Sequence, residues 1–123
     1  MKKKVPSWGK FDKIILPKAE SIEQASSENT AGYKSELIDK GRLLDLTGGT
    51  GVDTYFFAKK ASYVDYVEKD PDLAAIAAYN FAYMGLKNVR VMNQKAEEFL
   101  SNFGGRGDYD TVYVDPSRRN LSD

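Results

Sequence analysis

The chain contains neither cysteine nor histidine. Without cysteine there are no disulfides, no thiolate metal sites and no cysteine nucleophile. Without histidine the commonest general base and the commonest transition-metal ligand are gone, which leaves carboxylates, lysine, tyrosine and backbone groups to carry any chemistry. Chemistry that depends on positioning a cofactor suits such a chain better than metal-assisted hydrolysis. Net charge is absent as well, 18 basic residues balancing 18 acidic ones. No overall field therefore draws the protein onto nucleic acid or membrane, and any such binding is local. No apolar run approaches the roughly 18 residues of a membrane span, and Met1-Lys2-Lys3-Lys4 leads into no signal-like apolar stretch. A cytoplasmic protein with no membrane partner is expected.

What is present is a folded chain. A hydrophobic share of 41% beside 29% charged residues argues against wholesale disorder. A length of 123 residues fits one domain but is small for a complete α/β enzyme. The first 18 residues carry six lysines against the single Asp12. Such a leader either touches phosphates or is solvated, with Trp8, Phe11, Ile14, Ile15 and Leu16 packed on the domain edge. Ser21 followed by Gln24 predicts a short helix near 21–27. A second helix over 29–39 is expected to bury Tyr33, Leu37 and Ile38 and to stop at Gly41.

From Arg42 onward strands and helices alternate. Strands are predicted over 43–46, 63–67, 89–92 and 109–114, and helices over 51–60, from Asp70-Pro71 to Gly85, and over 96–103, with a loop at Gly104-Gly105-Arg106-Gly107. Asp70 and Pro71 are a helix N-cap and first-turn pair, and Leu73, Ile76, Ala77, Asn80, Phe81 and Met84 share one side of that helix. Four strands joined by helical crossovers imply an α/β, Rossmann-like, doubly wound parallel sheet of order 3-2-1-4. In that order the turns after strands 1 and 4 face one crevice at the topological switch point.

The run Leu43-Leu44-Asp45-Leu46-Thr47-Gly48-Gly49-Thr50-Gly51 ends a strand in a small-residue turn able to approach a ligand closely, which makes it a cofactor cradle. The dinucleotide pattern G-x-G-x-x-G fails at its third glycine, where Thr54 stands, and the Lys-Ser/Thr end of a P-loop is missing. A cofactor without phosphates fits better, and a nicotinamide-dependent oxidoreductase is the weaker enzyme alternative. Glu68, 23 residues beyond Asp45, ends the second strand where a carboxylate can receive two hydrogen bonds from a ribose diol, or is simply a charged strand end. Asp115-Pro116 follows the fourth strand. A carboxylate and carbonyls held by a proline turn can position a nucleophilic amine; otherwise this is a plain turn beside the exposed pair Arg118 and Arg119, whose guanidiniums suit phosphate or carboxylate.

Asp45-Leu46-Thr47-Gly48-Gly49-Thr50-Gly51, Val67-Glu68-Lys69-Asp70 and Val114-Asp115-Pro116-Ser117 resemble motifs I, II and IV of class I S-adenosylmethionine-dependent methyltransferases. More narrowly, Ile22 to Lys34, the Gly51-Val52-Asp53 triplet, Asn80-Phe81 and Asp115 to Arg119 resemble a bacterial group whose longer members carry a THUMP-like C-terminal domain; trimethylguanosine-synthase-like RNA methyltransferases share a related layout. The resemblance implies that Thr47, Gly48, Gly49 and Gly51 face the methionine part of S-adenosylmethionine. Asp45 would fix the turn or the cofactor's amino group, Glu68 hold the ribose, and Asn93, Gln94 or backbone meet the adenine amino group where Lys95 replaces the usual acid. Asp115 and Pro116 would form the catalytic acceptor motif, with Asp115 receiving hydrogen bonds from the target nitrogen. Ser117 and Arg118 replace the second proline and the base-stacking aromatic, which disfavours a flipped-base N6-adenine reaction.

The expected activity is methyl transfer to an acceptor, with RNA as partner on family analogy and on the basic leader. Residues 1–40 are read as leader and N-terminal helices and 41–123 as the N-terminal half of the catalytic domain, truncated after the fourth strand. On that reading the C-terminal part of the same protein is missing, and the exposed edge of strand 4 is open to self-association. A non-catalytic binding or assembly module that keeps the cradle is the alternative from another class.

Overall fold

A computed structural model describes residues 5–16, 27–103 and 109–115. The predicted 21–27 helix with its Ser21/Gln24 cap, the loop at 104–107, Pro116, Ser117 and the arginines at 118 and 119 lie outside the described residues, as do Lys2, Lys3, Lys4 and Lys18. Four strands, β1 (Arg42–Asp45), β2 (Tyr63–Val67), β3 (Val89–Met92) and β4 (Thr111–Tyr113), form one sheet of order β3-β2-β1-β4. Every pairing is parallel, and Leu44 stands between Asp65 and Val112. The α/β, Rossmann-like architecture and the 3-2-1-4 order are those expected. β4 is shorter than the predicted 109–114 at both ends; Asp110 still meets β1, its N–H donating to the Arg42 carbonyl at 2.8 Å, but it receives the Arg42 N–H on its side-chain Oδ2, at 3.0 Å, rather than on a backbone carbonyl.

Four α-helices are described: α1 (Glu28–Glu36), α2 (Val52–Ala58), α3 (Pro71–Tyr83) and α4 (Ala96–Phe103). Alternation along the strands sorts the core into two faces. Leu43, Val64 and Tyr66 pack with Phe57, Ala58, Ala77 and Phe81 of α2 and α3, while Leu44 and Val67 pack with Phe99 of α4 on the other side. Asp70 caps α3 as predicted, accepting the Asp72 and Leu73 N–H groups at 2.9 and 3.3 Å, an arrangement worth about 1 kcal/mol. On the α4 face, Arg90 grips the fully buried Asp65 with two bonds of 3.1 and 3.2 Å, and the Tyr109 hydroxyl donates to the same carboxylate. Burial and that carboxylate push the Tyr109 phenol up to about 12.

α1 corrects the sequence reading. It runs over Glu28–Glu36 with Ser27 as N-cap, rather than 29–39, and its buried residue is Ala31. Tyr33 and Leu37 are 63% and 69% exposed, and only Ile38, beyond the helix, is buried as expected. The reason is steric. Ala31 joins a cluster with Val52 and Tyr55 of α2 and with Val5 and Trp8 of the leader, and that close approach admits a methyl but not a phenol. The described part of the leader therefore packs rather than standing free. Pro6–Lys10 is a 3-10 turn that buries Trp8, and the Asn80 side chain clasps both the N–H and the C=O of Ile15 at 2.9 Å. Ile15 and Leu16 keep their own side chains outside. Among the described residues no helix is long and apolar enough to cross a membrane.

Candidate functional site

The site begins where β1 runs out. Asp45 is fully buried, and an ionised carboxylate in such a place must be hydrogen-bonded. One oxygen receives the Thr47 N–H at 3.0 Å and the other the Thr54 hydroxyl at 2.7 Å. Asp45 thereby bends the chain and braces the first turn of α2. This also explains the departure at the third glycine position: the Thr54 hydroxyl is part of the brace.

The turn itself needs glycine. Gly48, Gly49 and Gly51 have φ of +28°, +71° and +91°, values that other residues adopt with strain. A Cβ on Gly48 would lie 2.8 Å from the Val67 carbonyl oxygen, and one on Gly51 would lie 2.6 Å from Cζ of Phe81. Gly49 is held from β2 on both sides: its N–H donates to Glu68 Oε1 at 2.7 Å, and its carbonyl accepts from the Tyr66 hydroxyl. The other Glu68 oxygen receives the Asp70 N–H at 2.8 Å. Each oxygen of this buried carboxylate thus takes one backbone donor, while an ionised carboxylate offers about four acceptor directions in all.

Asn93 donates to the carbonyls of Glu68 and Lys69 at 2.9 and 3.1 Å, which ties the loop after β3 to the loop after β2. Gln94 is half-buried. Asp115 is brought to the turn from β4: its N–H donates to the Thr47 hydroxyl at 3.1 Å. Asp45, Thr47, Gly48, Gly49, Gly51, Glu68, Asn93 and Asp115 therefore gather at the carboxyl ends of the strands, on the crevice side that the topology demands.

Three participants escaped the sequence reading. Lys34 of α1 places its ammonium 2.9 Å from the Tyr113 hydroxyl, 3.5 Å from Asp53 Oδ2 and 3.7 Å from Asp115 Oδ2. Tyr113 donates in turn to Asp53 at 3.0 Å. Asp53 was visible within the Gly51-Val52-Asp53 triplet and Lys34 at the end of the Ile22 to Lys34 stretch. Hydrophobic periodicity hid Lys34, because a face that buries Tyr33 and Leu37 turns Lys34 outward. Among the described residues no group of three carboxylates could hold a metal ion.

One buried polar atom of the turn is left over. Among the described residues, Thr50 Oγ1 is enclosed and has no hydrogen-bond partner. A buried hydroxyl in a glycine turn that the Glu68 carboxylate meets at Gly49 fits a ligand rich in hydroxyl and amino groups.

A family model described as conserved hypothetical protein 95 matches residues 15–119, and the chain belongs to that family. It is 35% identical over 90 residues to an "uncharacterized RNA methyltransferase" of Mycoplasma mobile, covering 72% of this chain and 24% of that protein. It is 29% identical over 97 residues to a tRNA/tmRNA (uracil-C(5))-methyltransferase of Photorhabdus laumondii, covering 68% of this chain and 26% of the relative. The chain thus spans about a quarter of the length of these relatives. Among solved structures, a "putative methyltransferase" from Porphyromonas gingivalis W83 superposes with a TM-score of 0.81 at 32% identity, covering 94% of this chain and 29% of that one. An O-methyltransferase from Bacillus cereus in complex with SAH shares the fold alone, with a TM-score of 0.65 at 18% identity over 93% of this chain and 62% of that one. Over the part of their length that it covers, the chain shares the fold of these methyltransferase structures.

Proposed function

With that membership as the premise, we propose that the chain forms the cofactor-binding part of an S-adenosylmethionine-dependent RNA methyltransferase whose acceptor atom is a nitrogen. The observation that carries this reading is the Glu68–Gly49 bond of 2.7 Å. It sets a carboxylate at the end of β2 against a turn that has neither the third glycine for a pyrophosphate nor the lysine for a triphosphate, where a ribose diol is the fitting partner.

The residues present suit that cofactor. Glu68 would receive the ribose hydroxyls. The backbone of Thr47, Gly48, Gly49 and Gly51, with the Thr50 hydroxyl, would line the methionine end, and Asn93 and Gln94 would border the adenine. Asp45 acts through the turn that it braces. S-adenosylmethionine supplies a methyl group already activated on a sulfonium, so the protein has to bind, align and exclude water. Asp115 is the acceptor-side group: a carboxylate that accepts an N–H orients the nitrogen lone pair toward the methyl donor, and Pro116 would stiffen the turn behind it. The name of the Mycoplasma relative, an uncharacterized RNA methyltransferase, supports RNA as the substrate class, as does the likeness of Ile22 to Lys34 to the group with a THUMP-like domain.

The test is a calorimetric titration of this chain with S-adenosylhomocysteine and, in parallel, with NAD. Heat with the first alone is expected. Glu68→Ala is expected to weaken S-adenosylhomocysteine at least about tenfold, the scale of a lost hydrogen bond to a charged group. Asp115→Ala is expected to leave that affinity within about threefold and to abolish methyl transfer by the full-length protein. Binding of NAD instead, or an unchanged affinity in Glu68→Ala, overturns the assignment.

A further inference from the structure

We propose that Lys34 is the positioning residue of the acceptor side: carried in from α1, its ammonium aims the Asp115 carboxylate at the mouth between β1 and β4 and anchors it to the buried Asp53–Tyr113 pair. The inference rests on the reading of Asp115 as the group that meets the acceptor.

The orientation of α1 is the first argument. Lys34 points inward, its side chain only 26% exposed, while Tyr33 and Leu37 of the same segment face water. Fully burying a large apolar side chain is worth about 1.5–3 kcal/mol, and bringing a lysine out of water carries a penalty unless the charge is paired. The close packing of Ala31 holds the Lys34 face inward, and with it comes a cation beside two carboxylates.

Geometry is the second argument. Asp53 is fully buried and receives the Tyr113 hydroxyl at 3.0 Å, and Lys34 donates to that same hydroxyl at 2.9 Å. The ammonium lies 5.5 Å from the centre of the Tyr113 ring. α2 and β4 thus fix the ammonium from behind. Its third neighbour is Asp115 Oδ2 at 3.7 Å, on a side chain 13% exposed at the open end of the cluster. That separation is an ion pair rather than a hydrogen bond, and it draws the carboxylate toward the anchored ammonium. With the Asp115 N–H on Thr47, both the backbone and the side chain of Asp115 are held. Among the described residues, the groups that meet it are Lys34 from α1 and the Thr47 hydroxyl from the turn, with Asp53 of α2 and Tyr113 of β4 on the same ammonium.

The experiment follows the Asp115 carboxyl by NMR in the 13C-aspartate-labelled chain, assigned with Asp115→Asn and titrated with acid, in the wild type, Lys34→Met and Lys34→Arg. The Asp115 midpoint is expected to rise by at least about half a pH unit in Lys34→Met and to return toward the wild-type value in Lys34→Arg. S-adenosylhomocysteine affinity is expected to change less than about threefold in either variant, because Lys34 lies on the acceptor side. An Asp115 midpoint unmoved in Lys34→Met overturns the proposal. Should Lys34→Met lose its dispersed amide spectrum, Tyr113→Phe decides: loosening the anchor is expected to raise the Asp115 midpoint, and an unmoved midpoint again overturns the role. Failure of the wild type to bind S-adenosylhomocysteine strikes the methyltransferase reading and leaves the Lys34–Asp115 coupling measurable. Normal binding with an unmoved midpoint strikes Lys34 alone.

Discussion

Thr47 and Asp115 meet across the gap between β1 and β4, the threonine hydroxyl receiving the aspartate N–H at 3.1 Å. The same hydroxyl lies 3.3 Å from Asp45 Oδ1, so one side chain joins the buried carboxylate, the glycine turn and the acceptor turn. Thr47→Val keeps the shape and removes that junction. It is expected to lower stability by about 1 kcal/mol, with Thr47→Ser close to wild type. Urea midpoints check this, and equal midpoints for the two variants would mean that the turns are not joined in solution.

Gly51 is required twice over, by its φ of +91° and by the Phe81 ring 2.6 Å from where a Cβ would stand. Gly51→Ala is expected to lose at least about 2 kcal/mol. Adding Phe81→Leu should recover part of the loss, because the ring is one of the two causes, and the strain in φ should remain. A double-mutant cycle by denaturation measures the coupling. Strictly additive losses would show that the ring is not an obstacle.

Tyr109 contributes to the dependence of stability on alkaline pH. Burial and the Asp65 carboxylate raise its pKa on folding to about 12, against about 10 for a free tyrosine. A pKa raised by folding contributes stability in full below the unfolded value, and that contribution is lost as pH climbs through the folded one. The loss is therefore expected between about pH 10 and 12. Tyr109→Phe should flatten the fall in stability across that window and remove one late phenol from the ultraviolet titration. An unchanged late step in the variant would contradict the assignment.

Much of this protein was legible in the residue order because its signals are local. β2, β3 and α4 fall where alternation and helical spacing put them, and α3 starts at Pro71 because the aspartate before that proline is its cap. The glycine turn was legible for the same reason: positive φ belongs to residues 48, 49 and 51 themselves. The inward face of α1 was not. Hydrophobic spacing favoured Tyr33 and Leu37, and what decided the matter was the closeness of α2 and the leader to Ala31, which no window along the chain contains.

The amino-acid sequence by itself determined the order of strands and helices, the turn that only glycine can make and the carboxylates at the strand ends. All of these follow from backbone sterics and hydrophobic period within a few residues. Tertiary structure alone decided which of those groups touch. Glu68 closes on Gly49 from 19 residues away, Lys34 reaches Tyr113 from 79, and Asn80 clasps Ile15 from 65. Such contacts depend on how the parallel crossovers stack, and a buried charge takes whichever partner the packing delivers, because leaving it unpaired costs more than any local preference gains.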